Sequence, residues 1–151
     1  MFERGSRDDA TIDALNELLR GELSAVESYD KALPVVEGRP VLENDLHGCR
    51  ASHETRAARL RRAILDAGGE PARASGAWGL FARSVTKGSG AFGWKAVIDT
   101  LEQGEDHGLK EYEGALERLD LPSRALVAGE LLPLQQHTRD LVTALKRVTS
   151  Q

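Results

Sequence analysis

The chain has 151 residues, of which 40% are hydrophobic, 29% charged and 5% aromatic, enough for one domain whose core needs no disulfide or metal staple. With 24 acidic against 20 basic residues and a formal charge of −4, it offers no basic stripe for neutralising phosphates, so nucleic acid is not an expected partner. No apolar run approaches the ~18 residues that a membrane-spanning helix needs, which excludes an integral helical membrane protein, and no membrane is expected as a partner. The N-terminal stretch MFERGSRDDA lacks the apolar core of a signal peptide, and the single cysteine, Cys49, has no partner for an internal disulfide. Both features predict a cytoplasmic protein.

Four segments carry apolar residues at steps of three and four, and nowhere do they alternate as a strand requires. The first stripe runs Ile12, Leu15, Leu19, Glu22, Val26, Tyr29, Leu33 and Val36. Asp8 or Thr11 is the expected cap, Gly38-Arg39-Pro40 the end, and Pro34 a kink or early stop. The second runs Leu42, Leu46, Cys49, His53, Arg56 or Ala57, Leu60, Ile64 and Ala67, ending at Gly68-Gly69. Next comes GGEPARASGAWGLFARSVTKGSGAFGW, which concentrates Trp78, Phe81, Phe92 and Trp94 in a Gly- and Ser-rich stretch. Disordered linkers are poor in aromatics, so this reads as a structured crossover with a short helix near 77–87. Its aromatics either cover the bundle or form a contact between copies in a homo-oligomer. The third stripe is Ile98, Leu101, Glu105, Leu109, Tyr112, Leu116 and Leu119. The fourth, with Ser123 as its expected cap, is Leu126, Glu130, Leu134, His137, Leu141, Ala144 or Leu145, and Val148, with a bend expected at Gly129 and Pro133. Short, long and short connections predict an all-α four-helix bundle spanning 1–151 as one domain: hairpin one at about 8–67, crossover at about 68–90, hairpin two at about 91–149.

The two halves share a pattern. Glu22 and Glu105 lie 83 positions apart, as do Tyr29 and Tyr112, while His53 and His137 lie 84 apart. Glu22 and Glu105 stand where a core leucine is expected, and a carboxylate is rarely buried unless it is paired or binds metal. At ~1.5 Å per residue, both glutamates and both histidines fall at similar heights, so they are expected to converge at mid-bundle.

A glutamate followed seven residues later by a tyrosine, once in each half, resembles the ferritin-like superfamily. GGEP, the aromatic crossover and LEQGED are most similar to an uncharacterised, rubrerythrin-related branch known as a domain of unknown function. The resemblance implies a ferritin-like bundle and, at its centre, a Glu from each of two helices with Glu-x-x-His from each of the others. Glu22 and Glu105 match the single glutamates, and His53 and His137 the histidines. The positions three before the histidines hold Arg50 and Leu134, so four of six expected ligands remain.

Two functional readings follow. In the first, the protein is a non-catalytic bundle of uncharacterised function with a degenerate, metal-free core, where Arg50 pairs with Glu22 or Glu105. In the second, Glu22, His53, Glu105 and His137 bind iron, manganese or zinc in a rubrerythrin-like protein that reduces oxygen or peroxide. No catalytic residue is assigned. Tyr29 and Tyr112 read as core residues bonded to opposing carboxylates, and Glu130, at the height of Tyr112, as an acceptor for its hydroxyl. Cys49 reads as a small buried residue, His47 and His107 as surface residues, and the run RAARLRR as a solvated face.

Overall fold

The computed structural model describes residues 2–76 and 93–149, with side chains over 8–76 and 93–148. The crossover helix expected near 77–87, with Trp78, Phe81 and Phe92, lies outside the described residues. Helix α1 (Phe2–Val35) pairs with α2 (Pro40–Asp66), and α3 (Gly93–Ala115) pairs with a last helix built in three parts. Those parts are α4 (Leu121–Leu126), a π turn (Val127–Leu131) and α5 (Leu132–Thr149). Among the described residues there is no strand, as the helical spacing predicts. The hairpins pack with α1 against α3 and α2 against α5.

Local chemistry explains the ends. The α1–α2 turn places Gly38 at φ 86°, where a side chain would be strained, and Pro40 opens α2 because a helix start needs no N–H there. At the other end of α2, Gly68 sits at φ 84° and donates to Leu65 O at 3.0 Å, while Gly69 donates to Ile64 O at 2.9 Å. That is a Schellman stop. Gly69 is also required by packing, since a Cβ there would lie 2.7 Å from Ile12 Cγ2.

Two caps differ from expectation. Helix α1 begins at Phe2, so neither Asp8 nor Thr11 caps it; Thr11 is buried and its hydroxyl accepts from the Asp120 N–H at 2.9 Å. Asp120, not Ser123, caps α4, its carboxylate accepting from the Ser123 N–H at 3.0 Å. Pro34 falls in the last turn of α1, which ends one residue later.

The core has two apolar halves. One is built on Leu15, Leu19, Leu60, Ile64, Leu119 and Leu131; the other on Val36, Leu46, Cys49, Ile98, Leu101 and Val142. Trp94 packs on the second half, with the Arg39 guanidinium 4.3 Å over its ring. Between the halves lies a buried polar layer.

The fourth stripe is displaced by one residue. The buried face is Ser123, Val127, Leu131, Gln135, Thr138, Val142 and Leu145. The π turn lies between α4 and Pro133, which cannot donate to Gly129 O and whose ring would crowd that carbonyl. A π turn holds one residue more than an α turn. Past it the buried residues stand one position beyond the expected stripe, about 100° further round the helix.

Candidate functional site

The polar layer is assembled from all four long helices. Helix α1 contributes Glu22 and Tyr29, α2 His53 and Arg56, α3 Glu105 and Tyr112, and α5 Gln135 and Thr138. Every one of them is at most 3% exposed. The helical steps that make each helix amphipathic also carry these polar groups inward, so the layer follows from stripe position.

His53 is the centre. Its Nδ1 lies 2.5 Å from Glu22 Oε2 and its Nε2 2.6 Å from Glu105 Oε1. A neutral imidazole has one N–H, and here both ring nitrogens face carboxylate oxygens, so the geometry requires the imidazolium. Burial opposes that charge, but Glu105 and Glu22 overcome it and push the His53 pKa up to about 9. The Tyr29 ring stacks on the imidazole with centroids 5.4 Å apart.

The tyrosines bond crosswise between hairpins. Tyr29 donates to Glu105 Oε1 at 2.6 Å, and Tyr112 donates to Glu22 Oε1 at 2.7 Å. A chain of hydrogen bonds therefore runs Tyr112–Glu22–His53–Glu105–Tyr29. Burial, followed by the charges of Glu105 and Glu22 respectively, holds both phenols well above their ordinary range. They are donors at any physiological pH.

Arg56 completes the layer. Its Nη1 lies 3.5 Å from Glu22 Oε1 and donates to Gln135 Oε1; its Nη2 donates to Thr138 Oγ1 at 3.1 Å. Gln135 Nε2 in turn donates to Glu105 Oε2 at 2.8 Å, and Thr138 Oγ1 lies 2.9 Å from the same oxygen. Gly108 permits this contact, because a Cβ there would stand 2.8 Å from Gln135 Nε2. Burial alone would raise the pKa of both glutamates. The nearby charges win: His53 and then Arg56 hold Glu22 below the ordinary carboxylate range, and His53 does the same for Glu105. Two carboxylates thus face two cations, and the layer is neutral.

Several expected site residues lie elsewhere. His137 is exposed, because the π turn carries it off the inner face and brings Gln135 and Thr138 there instead. Arg50 sits at the rim, its side chain 29% exposed, paired with Asp30 at 2.5 Å and Glu54 at 3.1 Å. Glu130 pairs with Arg59 at 2.5 Å across a half-exposed surface and does not meet Tyr112. In the run RAARLRR only Ala58, Arg59, Arg61 and Arg62 are solvated; Ala57 and Leu60 join the core, and the first residue, Arg56, is fully buried. Cys49 is buried, with its thiol pushed up to about 12 by burial and the Glu105 charge, so it is no nucleophile. His47 is exposed and His107 partly so, 3.7 Å from Glu111. Two sequence signals mark the residues missed. Arg56 stands one turn beyond His53 in the same stripe, and Gln135 and Thr138 share a face once the helix is shifted by one residue.

A sequence profile described as "Domain of unknown function (DUF2383)" matches residues 10–118, most of the chain. The chain belongs to this family. In three dimensions the DUF2383 bundle is similar to a solved structure described as "ferritin like, diiron-carboxylate proteins" from Bacillus anthracis str. Ames. The TM-score is 0.75 at 20% identity, over 93% of this chain and 97% of the other, a likeness of fold. No curated protein matches the DUF2383 chain in sequence. The protein is a ferritin-like, all-α four-helix bundle, and no helix among its described residues is long and apolar enough to cross a membrane.

The donor set of this DUF2383 member does not fit the dinuclear carboxylate centre that its fold implies. Of the six ligands such a centre takes, the inner layer holds Glu22, Glu105 and His53; Arg50 and Leu134 stand where the remaining glutamates belong, and His137 is outside. The carboxylate oxygens already accept from two phenols, an imidazolium, an amide and a hydroxyl, and Glu22 is paired with a guanidinium. Among the described residues, no three His, Cys, Asp or Glu side chains are arranged to hold a metal ion. A further dication would meet two resident positive charges.

Proposed function

We propose that this protein is a metal-independent ferritin-like bundle, non-catalytic at its centre, in which a neutral cluster of side chains takes the place of a metal centre. The observation that carries this reading is Arg56: fully buried, it reaches Glu22, Gln135 and Thr138 and balances the charge that His53 alone leaves over. A buried ion cluster adds little net stability but makes any rearrangement of the four helices costly, because each displaced charge loses its partner. That favours a rigid scaffold over redox chemistry, which needs an open coordination position and groups free to exchange protons. The role is that of a soluble cytoplasmic module acting through its surface, with a homo-oligomeric contact through the crossover aromatics as the assembly to test by light scattering.

The test is the metal content of protein purified without chelator, beside a Glu22→Ala/Glu105→Ala variant. The expected result is no stoichiometric iron, manganese or zinc in the wild type, and a thermal midpoint unmoved by chelator. The convergence of Glu22, His53 and Glu105 favours a second reading, a metal-binding and rubrerythrin-like protein. One or more equivalents of metal, lost in the double variant, would establish that reading instead.

A further inference from the structure

Besides the Ser52 carbonyl of its own helix, 3.4 Å from Nε, the oxygens around the Arg56 guanidinium come from three side chains on two other helices. Glu22 Oε1 of α1 is 3.5 Å from Nη1, Gln135 Oε1 of α5 accepts from the same nitrogen, and Thr138 Oγ1 accepts from Nη2 at 3.1 Å. Glu105 Oε2 is one hydrogen bond further, 2.8 Å from Gln135 Nε2 and 2.9 Å from Thr138 Oγ1. All four side chains are at least 97% buried. A side-chain cation is thus met by one carboxylate, an amide oxygen and a hydroxyl, with a second carboxylate one hydrogen bond behind them. Those are the donors of hard divalent cations, not of zinc or copper.

We propose that Arg56 is a built-in cation that closes this centre to metal, and that its guanidinium fills an oxygen cage which, without it, takes one hard divalent ion such as Mn²⁺. This rests on the metal-independent reading above and deepens it by naming the residue responsible. The guanidinium is tethered to α2 and always charged, so it competes with free ions as a permanently present ligand. To enter, a dication must either expel Arg56, leaving a buried arginine without a counter-ion, or sit beside it against direct repulsion. Removing the guanidinium reverses the balance. Glu22 and Glu105 then face only His53, and one negative charge in a water-poor interior lacks compensation. The amide of Gln135 and the hydroxyl of Thr138 remain in place to complete the coordination.

The experiment titrates MnCl₂ into the full chain as wild type, Arg56→Ala, Arg56→Lys and Arg56→Ala/Glu105→Gln. Free Mn²⁺ is read by electron paramagnetic resonance, and folding by circular dichroism. Arg56→Ala is expected to bind one Mn²⁺ at least about a hundredfold more tightly than wild type, as removal of a unit charge a few ångströms from a dication requires. Its melting midpoint should rise with Mn²⁺; if it is unfolded without the ion, recovery of helix on addition reads the same binding. Arg56→Lys and the double variant should bind no better than wild type. Failure of Arg56→Ala either to bind or to refold overturns this assignment and leaves the metal-independent reading standing. Equal binding by Arg56→Lys overturns its electrostatic basis, and equal binding by the double variant overturns the cage. Stoichiometric Mn²⁺ on the wild type would instead overturn the metal-independent reading itself.

Discussion

Replacing Arg56 with Met removes a charge while keeping an apolar stem of similar reach, and the structure sets the size of the effect. The wild-type layer balances Glu22 and Glu105 against His53 and Arg56; the variant keeps two carboxylates and one imidazolium. Breaking a fully buried ion cluster in this way costs about 3–5 kcal/mol. Gln135 Oε1 also loses the guanidinium that donates to it, and an unsatisfied buried acceptor costs about 1–3 kcal/mol by itself. The two penalties overlap because they remove one group, and protonation of a carboxylate offsets part, so about 4 kcal/mol is the expected loss. For a domain of this size that lowers Tm by roughly 8–16 °C. Thermal melts followed at 222 nm, with urea midpoints as a second measure, give the value directly. Arg50→Ala is the control, since an ion pair at a solvent-screened rim adds little to stability and its loss should leave the midpoint close to that of wild type. The cycle Arg56→Met with Glu22→Gln should show coupling of at least about 1 kcal/mol, because the second change removes the carboxylate orphaned by the first. A midpoint for Arg56→Met within about 3 °C of wild type would refute the counter-ion argument.

Stability should peak between the ordinary carboxylate and imidazole pKa values, 4.5 and 6.5. His53 titrates near 9 in the folded state, so its contribution is complete below pH 6.5 and is lost as pH rises through 9. That loss is up to about 3 kcal/mol, and His53→Gln should flatten this limb of the urea-midpoint profile. Glu22 and Glu105, held low, act the opposite way: their contribution is present above pH 4.5 and fades as they are protonated below it. Tyr112→Phe should cost about 1.5–3 kcal/mol in urea melts, the loss of one buried hydrogen bond to a charged acceptor. His137→Ala should change stability by no more than about 0.5 kcal/mol, as expected for an exposed position; a loss of several would mean that it reaches the core after all.

The sequence by itself determined the helices and most of what they bury. Three- and four-residue steps identify the inner faces of α1, α2 and α3, and Glu22, Tyr29, His53, Glu105 and Tyr112 meet at mid-bundle because they lie on those faces. Periodicity suffices there because regular helix geometry converts spacing into direction without other information. Two features were decided only by tertiary structure. The first is the register of the last helix: the π turn before Pro133 shifts every later residue by one position, so His137 faces solvent and Gln135 and Thr138 face inward. Pro133 and Gly129 announce an irregularity, but whether it becomes a kink or an added residue depends on how the helix best fills the space beside α3. The second is the choice of cation. Arg50 and Arg56 are two arginines of one helix, three residues on either side of His53, and composition cannot rank them. Arginine is ordinarily a surface residue, and burying it is tolerable only where carboxylates and acceptors from other helices converge. Arg56 finds Glu22, Gln135 and Thr138 there, whereas Arg50 finds Asp30 and Glu54 at the rim. The distinction rests on partners far away in the chain, which become neighbours only when the two hairpins pack.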